Sequence, residues 1–532
     1  MQAQMMNYPL TLTPLVRRAA ELFSQREIVS RLPDKSLHRQ SYAAFAERVH
    51  RLASALQKLG LKPGDRVATL CWNHYAHLEA YFAIPCAGGV IHTLNLRLAP
   101  DDIAYIANHA EDRFLIVDDC LLPLAAKFRD KVNFEKVIVV PLSGAAVAGD
   151  LNYETMLAGA DPRLALPELA ESDPLGMCYT SGTTGQPKGV VYSHRSTILH
   201  SFAVTNVDGL ALSGRDTVLP VVPQFHVNAW GVPFAGVMAG AKFVMPGPHL
   251  DAVSLLDLME KERVTLSLGV PSIWLGIGEA LNAEPTRWKL SPKLRMVVGG
   301  SAVPESLMRT FDKHGITILH AWGMTETSPL GTVAHVVPEL ADASEAEIYR
   351  ARLSQGIPNA FVDIRAVTDN GIAPRDGKTP GELEVRGPWV AASYFKSGPE
   401  QKDRWTADGW FRTGDVATID ARGYMRITDR TKDLIKSGGE WISSVELENA
   451  LMGHPAVREA AVIAIPHPKW MERPLAVVVK RSEVTEAELR AHIEGKFAKY
   501  WMPDRFEFVD AIPKNGAGKF LKSALRETYG RA

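Results

Sequence analysis

Short apolar, β-branched runs alternate with helical patterns along the first 350 residues. Residues 66–70 (RVATL) open the series and precede a helical stretch near 74–84. Residues 114–117, 137–140, 217–222, 242–245, 264–268, 295–298 and 317–319 read as further strands. Helical patterns such as 252–262 and 305–314 lie between them. This rhythm predicts an α/β architecture with buried, largely parallel sheets.

The texture changes near residue 356. Residues 381–387, 416–420 and 424–428 are strand-like with turn residues between them, which predicts a β-rich subdomain over about 356–430. Beyond it, 443–452 and 486–497 read as helices and 460–465 and 475–479 as strands. The expected division is a large N-terminal domain, 1–430, and a small mobile α+β domain, 431–532.

Composition narrows the class. The 532 residues are 46% hydrophobic and 22% charged, which excludes collagen-like, disordered and coiled-coil chains. A net charge of −1 gives no support to nucleic-acid binding by bulk charge. Cys71, Cys86, Cys120 and Cys178 show no CxxC pair and no zinc spacing, so a reduced, cytoplasmic compartment is expected. No signal peptide is evident, and the most apolar stretch, 80–90, is too short to span a bilayer.

Three other clusters read as structural. His74 and His77 lie three apart on a helical pattern, but no third metal ligand has recognisable spacing, so surface or core histidines are expected. WKLSPKLR (288–295) reads as a solvated helix end, and EAEIYRAR (345–352) as an exposed charged helical face.

The densest chemistry is YTSGTTGQPKG at 179–189. Three glycines, four Ser/Thr hydroxyls and one lysine fall within eleven residues. Glycines let backbone approach an anion, hydroxyls and amides donate to phosphate oxygens, and Lys188 adds a point charge. Gln186 and Pro187 separate Gly185 from Lys188, so this is not a Walker A loop.

This segment resembles the signature of the adenylate-forming enzymes: acyl-CoA synthetases, firefly-type luciferases and peptide-synthetase adenylation domains. The resemblance runs from about residue 40 to 525, with motifs in family order. It leans toward bacterial medium- and long-chain fatty-acyl-CoA ligases and methylmercaptopropionate-CoA ligases, through 429–455 and 464–479.

The resemblance implies nucleotide contacts from Thr180, Ser181, Gly182, Thr183, Thr184, Gly185 and Lys188. In PQFHVNAW, His226 is similar to the residue between acyl carboxylate and phosphate, as a cationic or hydrogen-bonding imidazole, with Val227 and Trp230 lining the wall. Gly299, Gly300 and Ser301 in VVGGSA border adenine and acyl group. HAWGMTETS brings His320, Ala321, Trp322, Gly323, Met324 and Thr325 to the nucleotide. Trp322, where most relatives carry Tyr, would stack on adenine. Glu326, with Thr180, would hold Mg²⁺. Asp415 would accept both ribose hydroxyls, Arg430 a second ribose or phosphate contact, and Lys436 would sit close to the nucleotide. Lys432 falls at the hinge position. Gly438, Gly439 and Glu440 would form part of the thiol face, and Trp441 resembles an aromatic gate of a fatty-acid tunnel. Lys519, in PKNGAGK, matches the lysine of the adenylation step.

The implied activity is two-step. A carboxylic acid attacks the α-phosphate of ATP and expels pyrophosphate, and CoA then displaces AMP from the acyl-adenylate. The implied partners are ATP, CoA, a carboxylic acid and Mg²⁺, with a homodimer as assembly and no nucleic acid. Acid length stays open between a fatty acid and a short acid such as 3-methylmercaptopropionate. Two other classes remain: an adenylating enzyme for a non-CoA acceptor, and a nucleotide-binding protein without turnover. The intact Lys519, Glu326 and Asp415 argue against the latter.

Overall fold

The computed structural model describes the chain apart from residues 2, 145–149, 181–185, 399–402, 439, 515–518, 531 and 532. Residues 181–185 of the phosphate-type loop, Gly439 and part of PKNGAGK thus lie outside the described residues. Among the described residues the longer strands form four sheets.

Two large sheets carry the first 358 residues. In one, Arg66–Leu70 is flanked by Val90–Thr93 and Asp112–Asp118, all parallel, and Pro174–Tyr179 pairs antiparallel with Gly189–Ser193 at the edge. In the other, Thr217–Pro220, Lys242–Met245, Leu266–Gly269, Arg295–Val298 and Thr317–Gly323 run parallel, with antiparallel strands at both edges. Helices such as Tyr42–Lys58, Tyr75–Cys86 and Val232–Ala239 bury apolar side chains against these sheets, and one continuous core including Phe82, Phe234, Val67 and Phe243 spans both. The sheets are buried because crossover helices cover their faces.

A five-stranded antiparallel sheet follows, ordered Gly371–Ile372, Asp363–Thr368, Gly381–Arg386, Phe411–Ile419 and Met425–Arg430. The last sheet holds the hairpin Ile435–Ser437 and Glu440–Ile442, the long pair Val457–His467 and Met471–Lys480, and Arg505–Val509. Helices Ser444–Met452, Glu486–Ile493 and Lys522–Tyr529 pack there around two further cores. The architecture is therefore α/β with parallel-rich sheets, a β-rich sheet and an α+β C-terminal region.

Local signals explain most boundaries. Ser193 and Ser196 form a capping box that starts His194–Thr205, and Thr485 does the same with Glu488. The strand expected over 264–268 occupies Leu266–Gly269 instead. Arg263 is left-handed (φ +53°) and the Val264 amide returns to Met259, so these residues close a helix rather than open a strand. The helix expected over 486–497 stops at Ile493, just before Gly495 with φ +79°. Trp288 corrects the reading of 288–295 as a solvated end: it is 7% exposed and its Nε1–H donates to Asp257 at 2.7 Å. His74 and His77 are core residues. His74 Nε2 bonds Asp118 at 2.8 Å, and His77 bonds Thr69 and the Trp72 carbonyl. Cys71 lies with His74 and Asp118, a neighbour that spacing did not reveal. No helix among the described residues is long and apolar enough to cross a membrane.

Candidate active site

A cavity of about 520 Å³ opens where the second large sheet, the β-rich sheet and the C-terminal region meet. Its wall takes residues from many separate sequence segments, several at strand ends or loops and others on the helices Pro271–Ala283 and Ser444–Met452.

The antiparallel pair Pro174–Tyr179 and Gly189–Ser193 delivers Thr180 and Lys188 to the wall. These two flank the signature loop and are tied together. The Thr180 amide donates to the Lys188 carbonyl at 2.9 Å, and the Lys188 amide to Thr180 Oγ1 at 3.1 Å. The loop residues between them, 181–185, lie outside the described residues.

His226 and Trp230 enter on an unusual backbone. Val227, Asn228, Ala229 and Trp230 all have positive φ (39°, 56°, 45° and 58°), and Gly231 continues the run at 75°. Left-handed backbone costs an L-residue roughly 1–2 kcal/mol, so surrounding packing must enforce this turn. It lays the Trp230 ring against Gly299, where an added Cβ would stand 3.2 Å from the ring. His226 is half-buried. Burial first, then the charges of Lys519 and Arg97, lower its pKa to about 4. The imidazole is thus neutral near pH 7.

The strands Arg295–Val298 and Thr317–Gly323 end side by side and present Gly299, Gly300, Ser301 and the run from His320 to Glu326. Glu326 is buried and accepts the Tyr394 hydroxyl at 2.6 Å. Lys188 Nζ lies 5.0 Å from the centre of the same phenol ring. Tyr394 therefore joins two motifs, and sequence reasoning missed it. Trp322 donates its indole N–H to Asp415 Oδ2 at 3.0 Å. Asp415 faces Arg430 in register on the neighbouring strand, with Arg430 Nε 3.3 Å from Oδ1.

The C-terminal region closes the cavity. Lys519 lies against Gly300, and burial, then Arg430, lowers its ammonium pKa to about 8. Nearby, Lys522 bonds Glu448 at 2.6 Å and Ser444 Oγ at 2.7 Å, while Asp429 accepts the Ser444 amide at 2.6 Å. Lys432 is on the wall between the two regions.

The remaining expected residues lie elsewhere. Lys436, Gly438, Glu440 and Trp441 are not part of the cavity wall. Lys436 had been expected close to the nucleotide. Its strand turns it outward instead, with Nζ 4.5 Å from the centre of the Trp441 ring, which is 47% exposed. Gly438 (φ +61°) carries the Trp470 ring where a Cβ would stand 2.8 Å away.

A cavity walled by a glycine strand end, a carboxylate pair and three cations from remote segments is a nucleotide-type site. The chain belongs to the AMP-binding enzyme family: that family's model matches residues 16–395, and the model of the AMP-binding enzyme C-terminal domain matches 446–519. The chain is 50% identical to a long-chain-fatty-acid–CoA ligase of Thermus thermophilus, covering 99% of this chain and 96% of that one. It is 46% identical to a 3-methylmercaptopropionyl-CoA ligase of Ruegeria lacuscaerulensis, covering 99% of each. The crystal structure of the anthranilate CoA ligase AuaEII with anthranoyl-AMP superposes with a TM-score of 0.87 at 25% identity, over 99% of both chains.

Proposed function

We propose that this chain is an AMP-forming acyl-CoA ligase. It converts a fatty-type carboxylic acid, ATP and CoA to acyl-CoA, AMP and pyrophosphate. The carrying observation is Lys519, brought from the C-terminal region into the cavity that holds His226, Glu326 and Asp415. The relatives named above support CoA as acceptor.

In this reading Asp415 receives the ribose, and Arg430 and Lys188 face phosphate. Trp322 forms the wall beside the base. Lys519 steadies charge between the attacking carboxylate and the α-phosphate, which needs no proton transfer. Neutral His226 hydrogen-bonds the same oxygens. Glu326 and Thr180 supply oxygen donors of the kind Mg²⁺ prefers, and a buried carboxylate whose hydrogen-bond donor among the described residues is a phenol suits a cation. Bound there, Mg²⁺ would screen the phosphate charge.

We further propose that 431–532 moves as a body against 1–430 about Lys432, removing Lys519 and bringing Gly438, Gly439, Glu440 and Trp441 toward the site for the thiol step. The cytoplasmic compartment belongs to the same reading, supported by four cysteines outside any disulfide; so does a homodimer, checked by its mass in solution.

Acid-dependent pyrophosphate exchange, followed by a CoA-thioester assay over short to long acids, tests the function. ADP as product, or no AMP with any acid, contradicts it. The acid that gives the highest kcat/KM separates the fatty-acid reading from a short-acid one such as 3-methylmercaptopropionate, which the Ruegeria relative favours.

A further inference from the structure

Asp415 meets two donors of different mobility. The Trp322 indole N–H donates to Oδ2 at 3.0 Å, and Arg430 Nε stands 3.3 Å from Oδ1. Trp322 and Asp415 are 6% and 4% exposed. The Arg430 side chain is 38% exposed.

Packing fixes the indole. Trp322 pairs with Thr332 on the adjacent strand, and its ring lies over Gly331, where an added Cβ would stand 2.6 Å from the ring. Cys178, Tyr192 and Val385 belong to the same core cluster. A ring enclosed in this way cannot turn aside, whereas a half-exposed guanidinium can.

We infer that Trp322 is a positioning residue for ribose recognition: its N–H pins the Asp415 carboxylate, and the ribose hydroxyls displace Arg430 rather than the indole. This rests on the reading of Asp415 as the ribose acceptor. A carboxylate offers about four acceptor sites, so one indole bond leaves room for a diol. A carboxylate already held in place loses little freedom when that diol arrives, and binding is tighter for it. Arg430, once displaced, is released toward phosphate. An aromatic ring at 322 can wall the base whatever its polar group, but the flank N–H of indole also reaches the ribose carboxylate.

Equilibrium binding of AMP, 2′-deoxy-AMP and 3′-deoxy-AMP to the full chain tests this without turnover. Two changes remove the donor: Trp322→Phe, and replacement of Trp322 by 3-benzothienylalanine, which keeps the ring's shape with sulfur in place of N–H. Both should weaken AMP binding at least fivefold while leaving the deoxy nucleotides nearly unchanged, so ribose discrimination narrows. The sulfur analogue preserves the packing, so it stays informative if the Phe variant misfolds. An unchanged AMP to deoxy-AMP ratio in the sulfur analogue, with Asp415→Asn collapsing that ratio, overturns the role of Trp322 and leaves the ribose assignment standing. A ratio unchanged by Asp415→Asn overturns both.

Discussion

The Lys519 side chain lies directly over Gly300: a Cβ built on Gly300 would stand 3.6 Å from Lys519 Cε. The glycine holds φ +88°, a conformation that L side chains rarely adopt, at the end of a strand in the N-terminal sheets. A residue from the middle of the chain and one near its C-terminal end therefore shape the same few ångströms of the cavity.

Lys519→Ala should reduce adenylation by roughly 10²–10³, the usual cost of removing one preorganised electrostatic group. Thioesterification of supplied acyl-adenylate should survive, because the proposed role serves the first transition state alone. The check is pyrophosphate release against thioester formation in single turnovers. Equal losses in a folded variant would mean that Lys519 serves both steps.

The pH profile should carry the same signature. Lys519 is charged below its pKa of about 8 and neutral above it, so adenylation kcat/KM should fall as pH rises through about 8. In the enzyme–ATP complex the triphosphate holds the proton, which moves the limb of kcat to higher pH. Lys519→Arg, with a cation that does not titrate here, should flatten whatever activity remains between about pH 8 and 9.5. A wild-type kcat/KM that is level to pH 9.5 rules this out.

Tyr394→Phe strips the buried Glu326 of its 2.6 Å phenol donor and leaves the ring under Lys188. Hydrogen bonds to charged groups contribute about 1.5–3 kcal/mol. The Mg²⁺ concentration for half-maximal pyrophosphate release should rise about tenfold or more, with kcat changing less. A variant with wild-type Mg²⁺ dependence would show that Glu326 needs no such support.

Lys432→Pro should split the half-reactions. Proline fixes φ near roughly −65°, whereas a hinge must change its angles. With Lys519 already in the cavity, adenylate formation should persist, and transfer to CoA should drop at least tenfold, or about 1.4 kcal/mol on that barrier. A wild-type ratio of the two steps in a folded variant assigns the hinge elsewhere.

Acid should loosen the core through its histidines. His200 is fully enclosed with its pKa lowered to about 3, and its Nε2 accepts the Leu330 amide at 3.1 Å, which only the neutral ring can do. The unfolded chain takes this proton first, so the contribution is whole above about pH 6.5. It is lost as pH falls from there toward 3, by up to roughly 1.4 kcal/mol per pH unit. His200→Gln, whose amide oxygen accepts without titrating, should lose less stability than wild type between pH 7 and 5. Parallel melting curves across that range would refute the assignment.

Much of this architecture was legible because its signals are local. Each strand of the first sheet carries its own apolar run, and the phosphate-type loop crowds glycines, hydroxyls and a lysine into eleven residues. What escaped depends on contacts made only by folding. Tyr394 sits in the plain segment AASYFK, and its meaning arises from Glu326, 68 residues earlier. Trp288 looked solvated because it opens the mildly basic run 288–295, yet its ring joins the core cluster of Leu258 and Met259 and its N–H reaches Asp257. Gly331 carries no sequence cue at all; only the ring resting on it explains a glycine there. Lys436 and Trp441 were legible as motif residues, but their turn faces outward in this arrangement, and spacing cannot report an arrangement.

Under the proposed function, the wall residues from Val445 to Glu459 and Lys519 to Ser523 would also act as a shutter, with the ignition mounted on it. In that reading Lys519 travels with the wall, and ATP and acid can meet in an open site without reacting. The reaction starts only once the shutter is closed, so the labile acyl-adenylate is born already shielded from water. An open site is then a safe one, and the enzyme needs no separate guard against hydrolysing what it has just activated.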